Sequence, residues 1–204
     1  MSRKSIGIVD YGAGNINSLK NCLYTLGYKV SSTSFNQDLK NFDALFLPGV
    51  GAFPAAMRSL KMNRMDQKLR RFHKSGKPII GICLGFQLFA KKSYEIKQTL
   101  GLGLIDGEIV QLPQNSFHIG WNNVSFKKNA DNEIDKRNIF FFNHSYFLKL
   151  KSKYVLGSSS IKSIKDFPVF LRKENLAGVQ FHPEKSQENG LVFLNNLLKD
   201  MLND

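Results

Sequence analysis

The chemistry of this chain centres on a cysteine between two glycines. Gly81-Ile82-Cys83-Leu84-Gly85 follows the apolar run Pro78-Ile79-Ile80 and precedes Phe86-Gln87-Leu88-Phe89-Ala90, which reads as the start of a helix. A strand, a tight turn with small neighbours and a helix make a nucleophile elbow, with Cys where Ser is more usual. The turn lifts the side chain off the sheet, and the backbone N–H groups that follow open a helix N-terminus, which favours a thiolate and can stabilise an oxyanion. A thiolate nucleophile needs an imidazole. Of the four histidines, His182 is the best placed, because it ends the apolar run Ala177-Gly178-Val179-Gln180-Phe181 and stands two residues before Glu184 in His182-Pro183-Glu184. In an extended segment that spacing puts both side chains on one side, so the carboxylate can orient the imidazole that serves Cys83. The plainer readings are a buried cysteine ending a strand and a structural histidine. It is the combination of elbow, histidine and carboxylate that outweighs them.

Around these residues the chain alternates apolar strands with helical segments. Ser5-Ile6-Gly7-Ile8-Val9 runs into the Gly-rich loop Asp10-Tyr11-Gly12-Ala13-Gly14-Asn15, and Ile16, Leu19, Leu23 and Leu26 then recur at helical spacing up to Gly27. Ala44-Leu45-Phe46-Leu47 stops at Pro48-Gly49-Val50-Gly51, and the third strand stops at Cys83. This order predicts an α/β fold with a largely parallel central sheet, helices on both faces, and ligands gathered beyond the strand carboxyl ends. Shorter runs at 108–112, 123–126, 139–142, 154–158, 169–172 and 176–181 predict additional, partly antiparallel strands in the C-terminal half. A helix over 188–202 follows them, and one domain accounts for residues 1–204.

Composition narrows the function classes. The chain is 42% hydrophobic and 22% charged, values of an ordinary globular protein, and its apolar runs are too short for a signal peptide or a membrane span. A cytoplasmic location is the expectation. The net charge of +13 invites a nucleic-acid partner, but the lysines are scattered, as at Lys4, Lys40, Lys91, Lys128, Lys151 and Lys199, and no nucleic-acid motif accompanies them. Cys22 falls on or near the apolar stripe of the first helix and is read as a small packing residue. His73, in a polar helical stretch, is read as solvated. Trp121 is the only tryptophan and sits in what reads as a Gly/Asn-rich loop, a place for an interface anchor.

Taken together these residues resemble the class I glutamine amidotransferases, and among them the glutaminase subunits of imidazole glycerol phosphate synthase. The resemblance runs through Asp10-Tyr11-Gly12-Ala13-Gly14-Asn15, Pro48-Gly49-Val50-Gly51, the Cys83 elbow to Gln87, Gly101-Leu102-Gly103-Leu104-Ile105, His118-Ile119-Gly120-Trp121-Asn122, His144-Ser145-Tyr146 and Gln180-Phe181-His182-Pro183-Glu184-Lys185-Ser186. It implies a Cys83, His182, Glu184 triad that hydrolyses glutamine through a thioester, with no metal or organic cofactor. It implies an oxyanion hole from the N–H of Leu84 and one from Gly49, Val50 or Gly51, on a strand whose rotation could gate the site. Gln87, His144, Ser145 and Tyr146 would hold glutamine, with His118 structural. Asn15, Trp121 and Lys185 would face a synthase (cyclase) TIM-barrel subunit in a heterodimer that receives the ammonia for histidine biosynthesis.

Two departures bear on the acceptor. Asn115-Ser116-Phe117 and Phe141-Phe142-Asn143 stand where the family often has Lys-Val-Pro and Tyr-Phe-Val, in what read as loops near the partner face. An alternative is therefore a paralogous subunit that supplies ammonia for amidino-sugar formation in surface polysaccharides. The glutaminases of vitamin B6 synthesis carry a Gly-Gly-Glu-Ser motif that is absent, and anthranilate- or guanylate-type members carry Pro-Gly-Gly-Pro where Pro48-Gly49-Val50-Gly51 stands. From another class, a non-enzymatic flavodoxin-like module could bind an anion at its Gly-rich loops, although no full dinucleotide or P-loop fingerprint is present.

Overall fold

The computed structural model describes residues 3–33, 35, 37–127, 138–150 and 152–203, so Lys128 and Lys151 lie outside the described residues. The first half holds β1 (Ser5–Val9), α1 (Ile16–Thr25), β2 (Lys29–Thr33), β3 (Ala44–Leu47), α2 (Phe53–Met62), α3 (Met65–Lys74), β4 (Ile79–Ile82) and the single-turn α4 (Leu84–Gln87). Then come β5 (Ala90–Ser93), β6 (Thr99–Leu100), β7 (Ile105–Gln111), β8 (His118–Asn123), β9 (Ser125–Phe126), β10 (Ile139–His144), β11 (Tyr146–Lys149), β12 (Val155–Ile161), β13 (Ile164–Lys173), β14 (Leu176–Val179) and α5 (Gln187–Leu202).

The main sheet has the order β2-β1-β3-β4-β14-β13-β12-β9. Its first five strands are parallel and the remaining pairs are antiparallel, as the apolar runs predict. Parallel strands buried on both sides read as unbroken apolar runs, and β3 and β4 are buried at every position. Alternate residues feed two cores. Ile8, Phe46, Ile80 and Val179 pack with Leu19 and Leu23 of α1 and Phe193 and Leu194 of α5. Val9, Leu45, Leu47 and Ile79 pack with Met57 and Leu60 of α2 and Leu69 and Phe72 of α3. Helices therefore cover both faces, and the carboxyl ends of β1, β3, β4 and β14 meet at one edge.

Two smaller sheets flank that edge. One has the order β11-β7-β5-β6, and the other is an antiparallel ribbon of β8 and β10. Three local expectations are corrected here. Residues 86–90 do not begin a long helix, because α4 is one turn and β5 starts at Ala90. Leu88, Phe89 and Ala90 are wholly buried, and the carbonyl of Phe89 accepts from Leu104 and Ile105, so tertiary packing replaces the helical ladder. Trp121 and the Phe141-Phe142-Asn143 segment lie in the paired strands β8 and β10, not in loops. His73 is half-buried, with burial lowering its pKa, because α3 packs the apolar side of this polar helix onto the sheet. The edge strand β2 escaped the sequence pattern since three of its five residues are exposed.

Candidate active site

Cys83 caps α4 with φ 53° and ψ −111°, a backbone region that a side chain adopts only when its surroundings enforce it. They do so by close approach. A Cβ on Gly85 would sit 1.6 Å from the Leu47 carbonyl oxygen, and one on Gly81 would meet the Phe86 backbone at 2.7 Å. The Cys83 N–H donates to Val179 at 2.8 Å, so the elbow joins the ends of β4 and β14. Its Sγ lies 3.8 Å from the Asn143 carbonyl oxygen and 3.7 Å from the side-chain amide nitrogen of Gln180.

His182 follows β14, and its Nδ1 pairs with Glu184 Oε1 at 2.8 Å, leaving Nε2 free to serve Cys83. The expected extended segment is absent. His182 instead caps a 3-10 turn (Pro183–Lys185), which brings Glu184 back to the ring. The His182 N–H is held by the Phe141 carbonyl and its own carbonyl by Ser186 Oγ. Burial disfavours the imidazolium, but the charge and hydrogen bond of Cys83, with those of Glu184, overcome it and push the pKa up to about 10. The second oxygen of Glu184, Oε2, is buried without a hydrogen-bond partner. Burial and the Glu184 charge push the thiol of the half-buried Cys22 up, so Cys22 stays protonated.

In front of Cys83 lies a cavity of about 220 Å³ lined by Val50, Gly51, Cys83, Leu84, Gln87, Glu95, Asn143, His144, Ser145 and Tyr146. It is smaller than the roughly 300–1,000 Å³ clefts that take drug-sized ligands, and its mixed lining suits a small polar molecule. Val50 and Gly51 face it, whereas Gly49 lies behind them, where an added Cβ would strike the Tyr11 hydroxyl at 2.2 Å. That hydroxyl donates to the Pro48 carbonyl at 2.8 Å and ties down the start of this segment, which follows the end of β3 at Leu47 and is a loop where a strand was expected, and Gly51 in it has φ +101°.

Gln87 Nε2 donates to the Tyr146 carbonyl at 2.8 Å and to Gln180 Oε1 at 3.0 Å, so only its Oε1 remains for a ligand. The His144 ring is also spoken for, its Nδ1 by the Tyr146 carbonyl and its Nε2 by His118, both at 2.9 Å. A ligand can therefore meet His144 only at its backbone or ring face. Sequence reasoning missed Glu95, Asn143 and Gln180 as site residues. Gln180 stood in the quoted motif as a signal, but Glu95 comes from the turn after β5 and nothing local marks it. Burial raises the Glu95 carboxyl, opposed by the Phe53 N–H that donates to it at 2.8 Å.

Asn15 caps α1 by accepting from the Ser18 N–H, which explains it locally. Trp121 and Lys185 are brought together on the outer face of the ribbon. The Trp121 ring meets Phe141 edge-on at 5.9 Å, and Lys185 Nζ stands 5.8 Å above the same Phe141 ring. Phe117, Ile119 and Trp121 there are 71%, 66% and 50% exposed, an apolar patch beside the cavity.

A family model for class-I glutamine amidotransferases matches residues 7–201. The chain belongs to the HisH family of class-I glutamine amidotransferases. It is 40% identical to imidazole glycerol phosphate synthase subunit HisH of Caldanaerobacter subterraneus subsp. tengcongensis, covering 94% of this chain and 96% of that one. It is 36% identical to the subunit of the same name from Helicobacter hepaticus, covering 97% and 99%. Among solved structures, PurLQS of Thermotoga maritima superposes with a TM-score of 0.75 at 17% identity over 96% and 98% of the chains. A glutamine amidotransferase of the same organism gives 0.74 at 14% identity over the whole of both chains, and these two likenesses bear on the fold alone. No helix among the described residues of this amidotransferase is long and apolar enough to cross a membrane.

Two of the three buried histidines of this amidotransferase, His118 and His144, carry a pH consequence that opposes that of the third. Burial pushes His118 down to about 4, and burial together with the His118 charge and that of His182 pushes His144 down to about 3 against the opposing Tyr146 carbonyl. Unfolded, both bind a proton near 6.5. Between those limits the unfolded chain holds more protons, so these rings make stability fall as the pH drops below 6.5. His182 works the other way, since its raised pKa stabilises the fold below 6.5 and that contribution fades as the pH climbs toward 10. Urea unfolding from pH 7 to 4.5 should show the acid loss. Replacing either buried ring by Phe should make the slope shallower by up to about 1.4 kcal/mol per pH unit.

Proposed function

We propose that the chain hydrolyses glutamine to glutamate and ammonia and passes the ammonia to a synthase subunit that makes imidazole glycerol phosphate in histidine biosynthesis. The observation that carries this reading is the strained Cys83 beside the cavity, electrostatically coupled to a His182 whose Nδ1 is held by Glu184. The thiolate attacks the side-chain amide carbon, and the oxyanion is met by the N–H of Leu84 and by one from Val50 or Gly51 once that peptide turns inward. His182 gives its proton to the departing nitrogen, ammonia leaves, and a thioester remains. Water then attacks with His182 taking its proton, glutamate is released, and the thiol is restored. The Gln180 amide donates to the sulfur at 3.7 Å and helps to hold it in place.

Glu95 and Gln87 Oε1 offer acceptors for the ammonium group of glutamine, while Ser145 and Tyr146 close the other wall. The apolar patch with Trp121, Phe141 and Lys185 suits a docking face for a TIM-barrel cyclase subunit in a heterodimer. Docking there would cover the cavity and let ammonia cross without meeting solvent. The name shared by the relatives favours histidine biosynthesis over amidino-sugar formation, and a cytoplasmic setting accords with it.

The test is a diazoketone analogue of glutamine followed by peptide mapping. It should alkylate Cys83, with free glutamine protecting, and should spare Cys22, whose thiol is held protonated. Labelling that glutamine does not slow would overturn the glutaminase reading.

A further inference from the structure

The buried side of the β8–β10 ribbon holds a continuous chain of hydrogen bonds whose every direction can be assigned. A carbonyl only accepts, so His144 Nδ1 must carry the hydrogen it shares with the Tyr146 carbonyl at 2.9 Å. With His144 neutral, its Nε2 is a bare acceptor, and His118 Nδ1, 2.9 Å away, must donate to it. His118 is neutral as well, so its Nε2 accepts from the Asn122 amide nitrogen at 2.9 Å. That amide cannot turn over, since its nitrogen also donates to the Ser160 carbonyl and its oxygen accepts from the Asn123 N–H at 2.8 Å. At the other end the Tyr146 carbonyl also takes Gln87 Nε2, whose second hydrogen goes to Gln180, whose amide reaches the Cys83 sulfur. Asn122 adjoins Trp121, so the chain runs from the docking ribbon to the nucleophile.

We propose that His118 is a positioning residue for the glutamine cleft. Its Nδ1–H holds His144, and His144 holds the Tyr146 carbonyl on which Gln87 hangs. This rests on the reading of the cavity as a glutamine site. The surroundings allow no second arrangement. His118 stacks on Phe142 with centroids 4.2 Å apart and meets Phe167 edge-on at 5.8 Å, and the His144 ring lies tilted to Phe167 at 5.9 Å, so a hydrogen moved to the other nitrogen would find two donors face to face in an apolar box. Because the two histidines are directly opposed across the ribbon, a shift of β8 moves Tyr146 and Gln87 with it. The link gives Gln87 one fixed orientation, with Oε1 toward the ligand, and so sets the affinity for glutamine and not the chemistry at sulfur.

Imidazole nitrogen NMR of the intact chain at neutral pH should find both His118 and His144 in the Nδ1–H form. The functional arm uses two amides. Asn at position 118 places its nitrogen where Nδ1 was and keeps the donor to His144, whereas Gln reaches the Nε2 position and leaves His144 unpaired. The diazoketone analogue that labels Cys83 should need a roughly tenfold higher half-saturating concentration in His118→Gln, with its limiting rate little changed, because a buried acceptor has lost its donor. His118→Asn should stay near the unaltered chain. An Nε2–H form on either ring, or equal half-saturation in the two variants, would overturn the proposal. If the unaltered chain shows no glutamine-protected labelling, the glutaminase reading fails instead, and the spectra still decide the hydrogen-bond link.

Discussion

Cys83→Ala is expected to abolish glutamine-dependent synthesis in the proposed complex with a cyclase subunit while synthesis from added ammonia continues. Removing Sγ takes away the only atom that can form the thioester and disturbs little else. The contacts it loses are those with His182, the Asn143 carbonyl and the Gln180 amide, and the elbow itself is held by the backbone bond to Val179 and by the approach of Gly85 to Leu47. Glutamate release should fall by about 10⁴-fold or more, the range seen when a covalent nucleophile is deleted from a site whose other parts survive. Loss of the ammonia-dependent reaction as well would contradict the division of labour between the subunits. Cys22→Ala is the matched control and should turn over normally, since its half-buried thiol packs beside the core.

Glu184→Gln should give the second largest effect, a fall in kcat of about 10³–10⁴-fold with a nearly unchanged KM. The replacement keeps an oxygen to accept from His182 Nδ1, and its amide nitrogen takes the place of Oε2, which has no partner to lose. The ring therefore stays where it is, and what disappears is the charge. Glu184 is one of two influences that lift the His182 pKa against burial, so the variant should also titrate lower. Histidine NMR and steady-state glutamate release separate the two readouts. An unchanged kcat would remove Glu184 from the triad, whereas a raised KM with normal kcat would assign it to binding.

The elements that came through in the sequence were those whose residues answer to local rules. β1 and β3 span the apolar runs, and α1 stops just before Gly27, whose φ of +90° suits a residue without a Cβ. The elbow was legible because its constraint is local as well: the turn admits only small neighbours, and two glycines flank Cys83. The pairing of His182 with Glu184 was read from spacing, and the pairing is present, yet through a 3-10 turn and not an extended strand. The ribbon was half seen, with a strand read over 139–142 although Phe141-Phe142-Asn143 was also taken for a loop, and with β8 taken for a loop because Gly120 and the two asparagines carry no strand preference of their own.

What the sequence by itself determined is thus the order of the elements, the parallel core and the identity of the candidate reacting groups, since each depends on apolar runs, turn residues and side-chain chemistry that a short stretch already contains. Only the tertiary structure decided which groups share the cavity and which way they face. Glu95 enters from the turn after β5 because β5 pairs with β7 and Phe53 donates to the carboxylate, both contacts between distant parts of the chain. The ring nitrogens of His144 are closed to a ligand because His118, 26 positions earlier, takes Nε2 and the Tyr146 carbonyl takes Nδ1. Hydrogen-bond direction belongs to the set of partners around a ring, and no single stretch of sequence holds that set.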